Sequence, residues 1–373
     1  MSTVVVAGAL GNKPGQAGET WVKLSWIRGL QALGLDVRFV EQLAPSVDEP
    51  AAVRWFAAVA RRFELEQWAT LLIGDEAIVG PGLHELVAIA PEAVLVNISG
   101  HLKRPDLFAA FQRRVMVDID PGFTQFWHAE GLPGANVTGH DVHFTIGERI
   151  GAPGCPIPTG GIEWLPVRQP VVLEDWPVVD GAELDRFTTI ATWRGPFGPV
   201  TYGGQTYGLK VHEFRRFAEL PRRSPHRFEI ALDIHPADEA DRGALEDRGW
   251  RVVDPRQVAW DPDAMRTYIQ RSAAEFSAAQ GVYVDTRCGW FSDRTTRYLA
   301  SGRPALVQDT GFSGRLPVGE GLVAFRTLEE AVAGAADIAS RYAEHGKAAR
   351  HIAEEHFDAR RVLARFCEQA GIG

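Results

Sequence analysis

The stretch GWFSDRTTRYLASGRPALVQDTGF, residues 289–312, decides how the second half of the chain is interpreted. It contains a polar start, a run of small residues and an apolar strand after the Gly-Arg-Pro corner at residues 302–304. Ser292 and Asp293 are favoured at helix N-caps, so the pattern predicts a capped helix that ends at the glycine. The preceding GVYVDT, residues 281–286, is predicted as a buried strand, which places the polar segment in a loop at the carboxyl end of that strand.

The chain alternates apolar strands with helical segments in two series. The first series starts with TVVVAGAL and ETWVKLSWIRGLQALG, and a segment with several prolines over residues 166–184 ends it as a predicted linker. In the second series, PDAMRTYIQRSAAEFSAAQ is predicted as one helix. Such alternation predicts parallel sheets covered by helices. We therefore expect Rossmann-like domains over residues 1–165 and 185–345, and C-terminal helices over residues 346–373, whose packing on the first domain is left open.

Composition and charge narrow the class of protein. The length of 373 residues exceeds what one hydrophobic core usually serves, and contents of 45% hydrophobic and 23% charged residues are typical of a soluble globular protein. The net charge of -9 argues against a nucleic-acid partner, and no apolar run is long enough to predict a membrane span. Three cysteines without a C-x-x-C pair indicate a cytoplasmic protein with neither a disulfide framework nor a zinc site.

Ligands of open α/β sheets bind beyond the carboxyl ends of the strands, so the loops at those ends are the candidate sites. The first loop, GALGNKPGQAGETW, has neither the dinucleotide spacing G-x-G-x-x-G nor a phosphate-binding G-K-[ST]. Gly11 and Gly15 either let its backbone approach a ligand or only make the loop flexible. Glu19 at the next helix start, His101 after a strand and Asp120 after another are the candidates for a catalytic base. The alternatives are a solvated histidine and an aspartate that opens a turn.

Basic residues follow two predicted strands of the second half. The segment ATWRGPFGPVTYGGQTYGLK ends a strand at Trp193 and then supplies Arg194, several glycines and Lys210. The planar fork of an arginine and the point charge of a lysine both suit phosphate oxygens, and glycines allow a diphosphate to come close. The helix start that contains Ser292 adds further candidates, namely Asp293, Arg294, Thr295 and Thr296. The alternatives are a long hairpin-like loop and an ordinary capped helix with a solvated arginine.

The run TTRYLASGRPALVQDTGF, followed by GEGLVAF and TLEEAVAGAADI, resembles the donor-domain signature of GT-B glycosyltransferases. The resemblance implies two Rossmann-like domains that face each other across a cleft. The C-terminal half would bind a nucleoside-diphosphate sugar, and the N-terminal half a small-molecule or glycan acceptor. The resemblance also implies a hexosyltransferase-like enzyme that needs no metal and no cofactor, with the sugar nucleotide as co-substrate. Arg194 and Lys210 are similar to the pair that grips the diphosphate in many retaining members.

One part of the family's pattern is missing from this chain. Retaining members carry two glutamates in an E-x7-E pattern, and alignment on the Gly-x-Pro corner places Gly289 and Arg297 at those positions. Residues 292–294 then take over the donor contacts, or the donor differs, or activity has been lost. The predicted function is a metal-independent glycosyltransferase, and the alternatives are a sugar-nucleotide 2-epimerase and a non-catalytic GT-B partner protein. The choice of base and the choice between retention and inversion stay open.

Overall fold

The computed structural model describes residues 2–45, 47–74, 76–179, 185–195 and 197–373. The chain divides into two compact units. Unit 1 comprises Met1–Gly151, Pro158–Val172 and Ala359–Gly373, and unit 2 comprises Ala152–Ile157 and Leu173–Asp358. The last part of the predicted linker, residues 180–184, lies outside the described residues.

Unit 1 is built on a mostly parallel sheet. Its strands are β1 (Thr3–Ala7), β2 (Asp36–Gln42), β3 (Ala69–Ile73), β4 (Glu76–Val79), β5 (Val94–Ile98), β6 (Arg113–Asp118), β7 (Val142–Thr145) and β8 (Trp164–Pro166). Among the described residues these form an 8-stranded sheet in the order β4-β3-β2-β1-β5-β6-β7-β8, in which β3 and β4 pair antiparallel. The strand order reverses between β1 and β5, so their carboxyl ends flank the crevice where ligands of such sheets bind.

Helices cover the sheet of unit 1. They are α1 (Ala17–Ala32), α2 (Glu49–Arg62), α3 (Leu83–Ile89), α4 (Pro105–Ala110), α5 (Phe123–Ala129) and, from the end of the chain, α15 (Ala359–Ala370). Helices α1 and α15 pack together, with the rings of Trp26 and Phe366 centred 4.9 Å apart. A Cβ atom on Gly29 would lie only 2.5 Å from Cδ1 of Leu363, so the two helices approach this closely because residue 29 is glycine.

Unit 2 repeats the same plan with different loops. Its strands are β9 (Arg186–Thr192), β10 (Val200–Tyr202), β11 (Gln205–Tyr207), β12 (Arg227–Asp233), β13 (Trp250–Val253), β14 (Ala274–Ser277), β15 (Ala305–Gln308) and β16 (Leu322–Phe325). The described residues form a 6-stranded sheet in the order β13-β12-β9-β14-β15-β16, and β10 and β11 form a separate hairpin. All pairs of the larger sheet are parallel, and the strand order reverses between β9 and β14.

The helices of unit 2 pack around an aromatic core. They are α6 (Lys210–Arg216), α7 (Leu220–Arg223), α8 (Glu239–Asp247), α9 (Pro255–Val258), α10 (Pro262–Gln270), α11 (Gly281–Thr286), α12 (Asp293–Ala300), α13 (Leu328–Ser340) and α14 (Tyr342–His356). The rings of Phe276 on β14 and Phe325 on β16 stack at a centroid distance of 5.3 Å in this core. Within the part of the chain that the structure describes, no helix is both long and apolar enough to cross a bilayer.

Two predicted elements of unit 2 are wrong. GVYVDT, predicted as a strand, is the helix α11, and the strand at this point of the chain is β14, which lies inside the segment predicted as one long helix. All residues of β14 are buried between β9 and β15. Burial in the sheet therefore outweighs the helical propensity of its alanine and glutamate. As a consequence, the polar segment before α12 connects two helices and does not follow a strand.

The predicted linker begins at Pro166, the last residue of β8. Its first part, up to Val172, groups with unit 1, and Leu173 begins the main segment of unit 2. The chain returns to unit 1 at Ala359, whose backbone N–H donates to the carbonyl oxygen of Val171 at 2.9 Å. The C-terminal helices are thus divided, since α14 belongs to unit 2 and α15 to unit 1.

Candidate functional site

A buried carboxylate shapes the loop that follows β1 in unit 1. Glu41 on β2 is fully buried and accepts backbone N–H groups from Leu10 at 2.8 Å, Gly11 at 2.5 Å and Asn12 at 2.8 Å. Burial raises the pKa of Glu41, and these hydrogen bonds oppose the rise. Successive backbone N–H groups of this kind form an anion site in many α/β proteins. In this chain the anion at these N–H groups is the carboxylate of Glu41 itself. Gly15 lies further along the same loop.

His101 is tied to this loop from the other side of the crevice. Its Nε2 lies 3.2 Å from Nδ2 of Asn12 and 3.9 Å from Oε1 of Glu41. Burial, followed by the nearby charge of Lys23, lowers the pKa of His101 to about 4, and a hydrogen bond to the backbone of Gln42 opposes this shift. The imidazole is therefore neutral at pH 7 and is held by groups that also hold the loop.

Asp120 lies beyond the carboxyl end of β6, close enough to Glu19 to be affected by its charge. Burial, followed by the charges of Glu19 and Asp118, raises the pKa of Asp120 to about 7. Glu19 forms an ion pair with the buried Lys23 one turn further along α1. Asp118 is fully buried, and its carboxylate accepts hydrogen bonds from three side chains, those of Thr124, Gln125 and Thr145. The structure thus brings Glu19, His101 and Asp120 together in one cluster at the carboxyl edge of unit 1.

In unit 2, the residues after β9 are already engaged with neighbouring groups. Trp193 is 1% exposed, and its indole N–H donates to Asp241 at 2.8 Å. The guanidinium of Arg194 makes two bonds to the carboxylate of Asp238, at 2.7 Å and 2.6 Å, on the solvent side of the loop. Gly195 has a φ of 86°, a left-handed conformation that favours glycine, and a Cβ atom there would lie 2.2 Å from Nε2 of Gln280. Trp193 is therefore part of the hydrophobic core, whereas Arg194 is exposed and forms an ion pair with Asp238.

Lys210 opens α6 beside the point where β9 and β14 separate. Its backbone N–H donates to the side-chain oxygen of Gln280 at 3.0 Å, which fixes the start of the helix. Burial, followed by the charge of Arg294, lowers the pKa of Lys210 to about 8, and the charges of Asp293 and Glu275 act in the opposite direction. Among the described residues, the ammonium of Lys210 makes no hydrogen bond and no ion pair. It is a half-buried cation with capacity for a ligand.

The start of α12 is capped as the sequence predicts. Ser292 is the N-cap, and its hydroxyl accepts the N–H of Arg294 at 3.2 Å. Asp293 forms an ion pair with Arg297 one turn further along the helix. Thr295 and Thr296 are buried, and the hydroxyl of Thr296 donates to the carbonyl oxygen of Asp293 at 2.7 Å. The side chains of both threonines therefore face the interior of unit 2.

The side chain of Arg294 points into the gap between β9 and β14. Its Nε donates to Glu275 at 2.7 Å, Nη1 to the carbonyl oxygen of Ile190 at 2.8 Å, and Nη2 to the hydroxyl of Ser277 at 2.8 Å. The side chain is 12% exposed, so the alternative of a solvated arginine does not hold. The sequence did not indicate its partner Glu275, because a glutamate within a predicted helix gives no sign of a buried ion pair.

The two positions aligned with the E-x7-E glutamates have structural roles. The N–H of Gly289 donates to the carbonyl oxygen of Thr310 at 2.9 Å. The side chain of Arg297 is 1% exposed, and its guanidinium lies 5.9 Å from the ring centre of Trp176. Among the described residues, no group of three or more His, Cys, Asp or Glu side chains could hold a metal ion.

Comparison with known proteins identifies the fold. No protein-family model matches the chain, and no curated protein matches its sequence. Among solved structures, it is similar to an alpha-glucosyltransferase in complex with UDP and a 13-mer DNA (TM-score 0.64, 10% identity, 100% of both chains). It is also similar to Anabaena Alr3699/HepE in complex with UDP and glucose (TM-score 0.60, 9% identity, 100% of both chains). A third is AviGT4, a glycosyltransferase involved in avilamycin A biosynthesis (TM-score 0.57, 14% identity, 99% of this chain and 97% of that chain). The chain has the GT-B glycosyltransferase fold, with two Rossmann-like units.

Proposed function

We propose that this protein is a glycosyltransferase that moves a sugar, in the manner of a hexosyltransferase, from a nucleoside-diphosphate sugar to an acceptor hydroxyl. The observation that carries the proposal is the ammonium of Lys210, at the strand reversal of unit 2. It has no partner among the described residues and is near enough to Arg294 to be affected by its charge. Proteins of the same fold have been solved with UDP, and one of them with UDP and glucose, which supports a sugar nucleotide as the ligand.

Unit 2 is the donor side in this proposal. When the bond between the sugar and the diphosphate breaks, negative charge develops on the leaving diphosphate, and fixed cations stabilise that charge. Lys210 supplies one such cation, and the start of α12 adds the positive end of a helix dipole. These groups act without a resident metal, which is the form of catalysis that we propose for this chain.

Unit 1 provides the group that takes the proton from the acceptor hydroxyl, and we assign this role to Asp120. Its pKa of about 7 suits a general base at neutral pH. Among the described residues, its carboxylate has no hydrogen-bond partner. Glu19 is held by Lys23, and His101 has a pKa of about 4 and contacts on both ring edges, so both are better suited to position the loop than to exchange a proton.

The test begins with thermal unfolding of the full chain in the presence of UDP, GDP, ADP, dTDP and pyrophosphate. A ligand at one hundred times its Kd stabilises the folded state by about 2.7 kcal/mol, which is readily measured. Stabilisation by one nucleoside diphosphate, followed by its release from the matching sugar nucleotide, would support a transferase. Binding with conversion of the sugar but without release of the diphosphate would indicate an epimerase. The absence of any stabilisation would contradict both.

A further inference from the structure

The strands β9 and β14 separate after a short paired region, and Arg294 occupies the gap. The described residues of these strands pair only at Ala274 with Phe187 and at Glu275 with Thr188. Beyond these pairs, the guanidinium of Arg294 bonds to the carbonyl oxygen of Ile190 on β9 and to the hydroxyl of Ser277 on β14. One side chain therefore connects the two strands at the point where ligands of such sheets bind.

The guanidinium keeps unused donors. An arginine has five N–H donors in a rigid fork, and the bonds to Glu275, Ile190 and Ser277 use one on each nitrogen. Among the described residues, the second N–H on Nη1 and the second on Nη2 have no acceptor. The side chain is 12% exposed, so it is not closed off completely from solvent.

Glu275 is the counter-charge of this arrangement. It is fully buried, and its Oε1 accepts from Nε of Arg294 at 2.7 Å. Lys210 is affected by Arg294 and Glu275, and by Asp293 on α12, which is itself paired with Arg297. The negative charges of Asp293 and Glu275 oppose the effect of Arg294 on the pKa of Lys210.

We propose that Glu275 is a positioning residue of the donor site, which fixes the fork of Arg294 across the gap between β9 and β14. This inference rests on the proposed function, because it requires a diphosphate at the strand reversal of unit 2. It also explains how the chain holds a donor without the glutamates of the E-x7-E pattern. In this chain the carboxylate is that of Glu275 on β14, and it acts on the donor through Arg294 on α12.

The test is the affinity of the best nucleoside diphosphate of the panel, measured by calorimetry between pH 7 and pH 9.5 on the full chain. In the wild type, affinity falls as Lys210 loses its proton, above its pKa of about 8. In Glu275→Gln, we expect binding at pH 7 to weaken about tenfold or more. The alkaline fall should also begin at lower pH, because one of the two negative charges that raise the pKa of Lys210, that of Glu275 beside that of Asp293, is gone.

Glu229→Gln is the matched control. Glu229 lies in the same row of the sheet, since Thr188 is in register with both Glu229 and Glu275. It is 2% exposed and pairs with Arg186 and Arg251, both at 3.1 Å, away from the strand reversal. We expect it to destabilise the fold in a similar way but to leave the pH dependence of nucleotide binding unchanged.

A second variant covers the case in which Glu275→Gln does not fold. Glu275→Asp keeps the charge but shortens the side chain, so we expect weaker binding with the alkaline midpoint unchanged. Wild-type affinity and midpoint in a folded Glu275→Gln, or wild-type affinity in Glu275→Asp, would overturn this inference alone. A wild-type chain that binds none of the nucleoside diphosphates and no pyrophosphate would overturn the proposed function, and this inference with it.

Discussion

The carboxyl edges of the two sheets share a topology but differ in their electrostatics. In unit 1, backbone N–H groups of the loop after β1 donate to the carboxylate of Glu41. Burial and neighbouring negative charges raise the pKa of Asp120 at the same edge to about 7. In unit 2, the corresponding edge holds Arg294 and Lys210, and the pKa of Lys210 is lowered to about 8. In such sheets the topology determines where a ligand binds, and we infer that the charges at each edge select the ligand.

This difference assigns the two halves of the proposed reaction. The backbone donors that hold phosphate in many α/β proteins are occupied by Glu41 in unit 1, so we expect the diphosphate to bind in unit 2 instead. In unit 2, Lys210 lies at the equivalent edge, and its ammonium has no partner in the part of the chain that the structure describes. Substitutions can remove the charged group of one unit at a time, and a pH profile reports the groups of both units at once.

The largest effect is expected for Asp120→Asn. Loss of a general base lowers kcat by about 10²- to 10⁴-fold, and nucleotide affinity should stay as in the wild type because the donor side is intact. Steady-state kinetics and calorimetry measure the two quantities. Glu19→Gln is the control, since it keeps the base but removes one of the two charges that, after burial, raise the pKa of Asp120. It should move the acidic limb of activity to lower pH. Wild-type kcat in Asp120→Asn would exclude this residue as the base.

Lys210→Met should lower nucleotide affinity by about 1.5–3 kcal/mol, the range for a hydrogen bond to a charged group. The fold should not lose stability, because the substitution removes a half-buried charge that has no partner among the described residues. Lys13→Met changes a cation near Asp120 in unit 1 and should leave nucleotide affinity unchanged. An equal loss of affinity in both variants would mean that the contrast between the two units is wrong.

The pH dependence of kcat/KM reports both edges in one experiment. Asp120 must be deprotonated to accept a proton, so activity should rise as the pH increases through about 7. Lys210 must be protonated to hold the diphosphate, so activity should fall above about pH 8. We expect a maximum between these values, with the alkaline limb absent in Lys210→Met. A profile that is flat from pH 6 to pH 9 would contradict both assignments.

The smallest effect is expected at Arg194. Its guanidinium is 57% exposed and must leave Asp238 before it can bind a phosphate, so one exposed ion pair replaces another. We therefore expect Arg194→Ala to weaken nucleotide binding by at most about fivefold. Asp238→Ala frees the same arginine and should strengthen binding slightly. A loss in Arg194→Ala as large as that in Lys210→Met would place the main phosphate contact at residue 194.

Much of the fold can be predicted from local sequence patterns. The contacts of the buried glutamates at the candidate site cannot. The strand and helix alternation, the cap at Ser292 and the edge positions of Glu19, His101 and Asp120 depend on short spacings and are visible in the sequence. Glu41 and Glu275 are not, because each is a carboxylate within an apolar stretch whose partner lies far along the chain. The identity of β14 was missed for the same kind of reason. Its sequence, AEFS, has no clear strand pattern, and it forms a strand because β9 and β15 pair with it on both sides.

The most direct test of the central claim is a crystal structure of the full chain with the nucleoside diphosphate that stabilises it most. We predict that oxygens of the diphosphate lie within hydrogen-bond distance of the ammonium of Lys210, at the strand reversal between β9 and β14. A diphosphate bound instead at the loop after β1, with the carboxylate of Glu41 displaced from its backbone donors, would contradict the account.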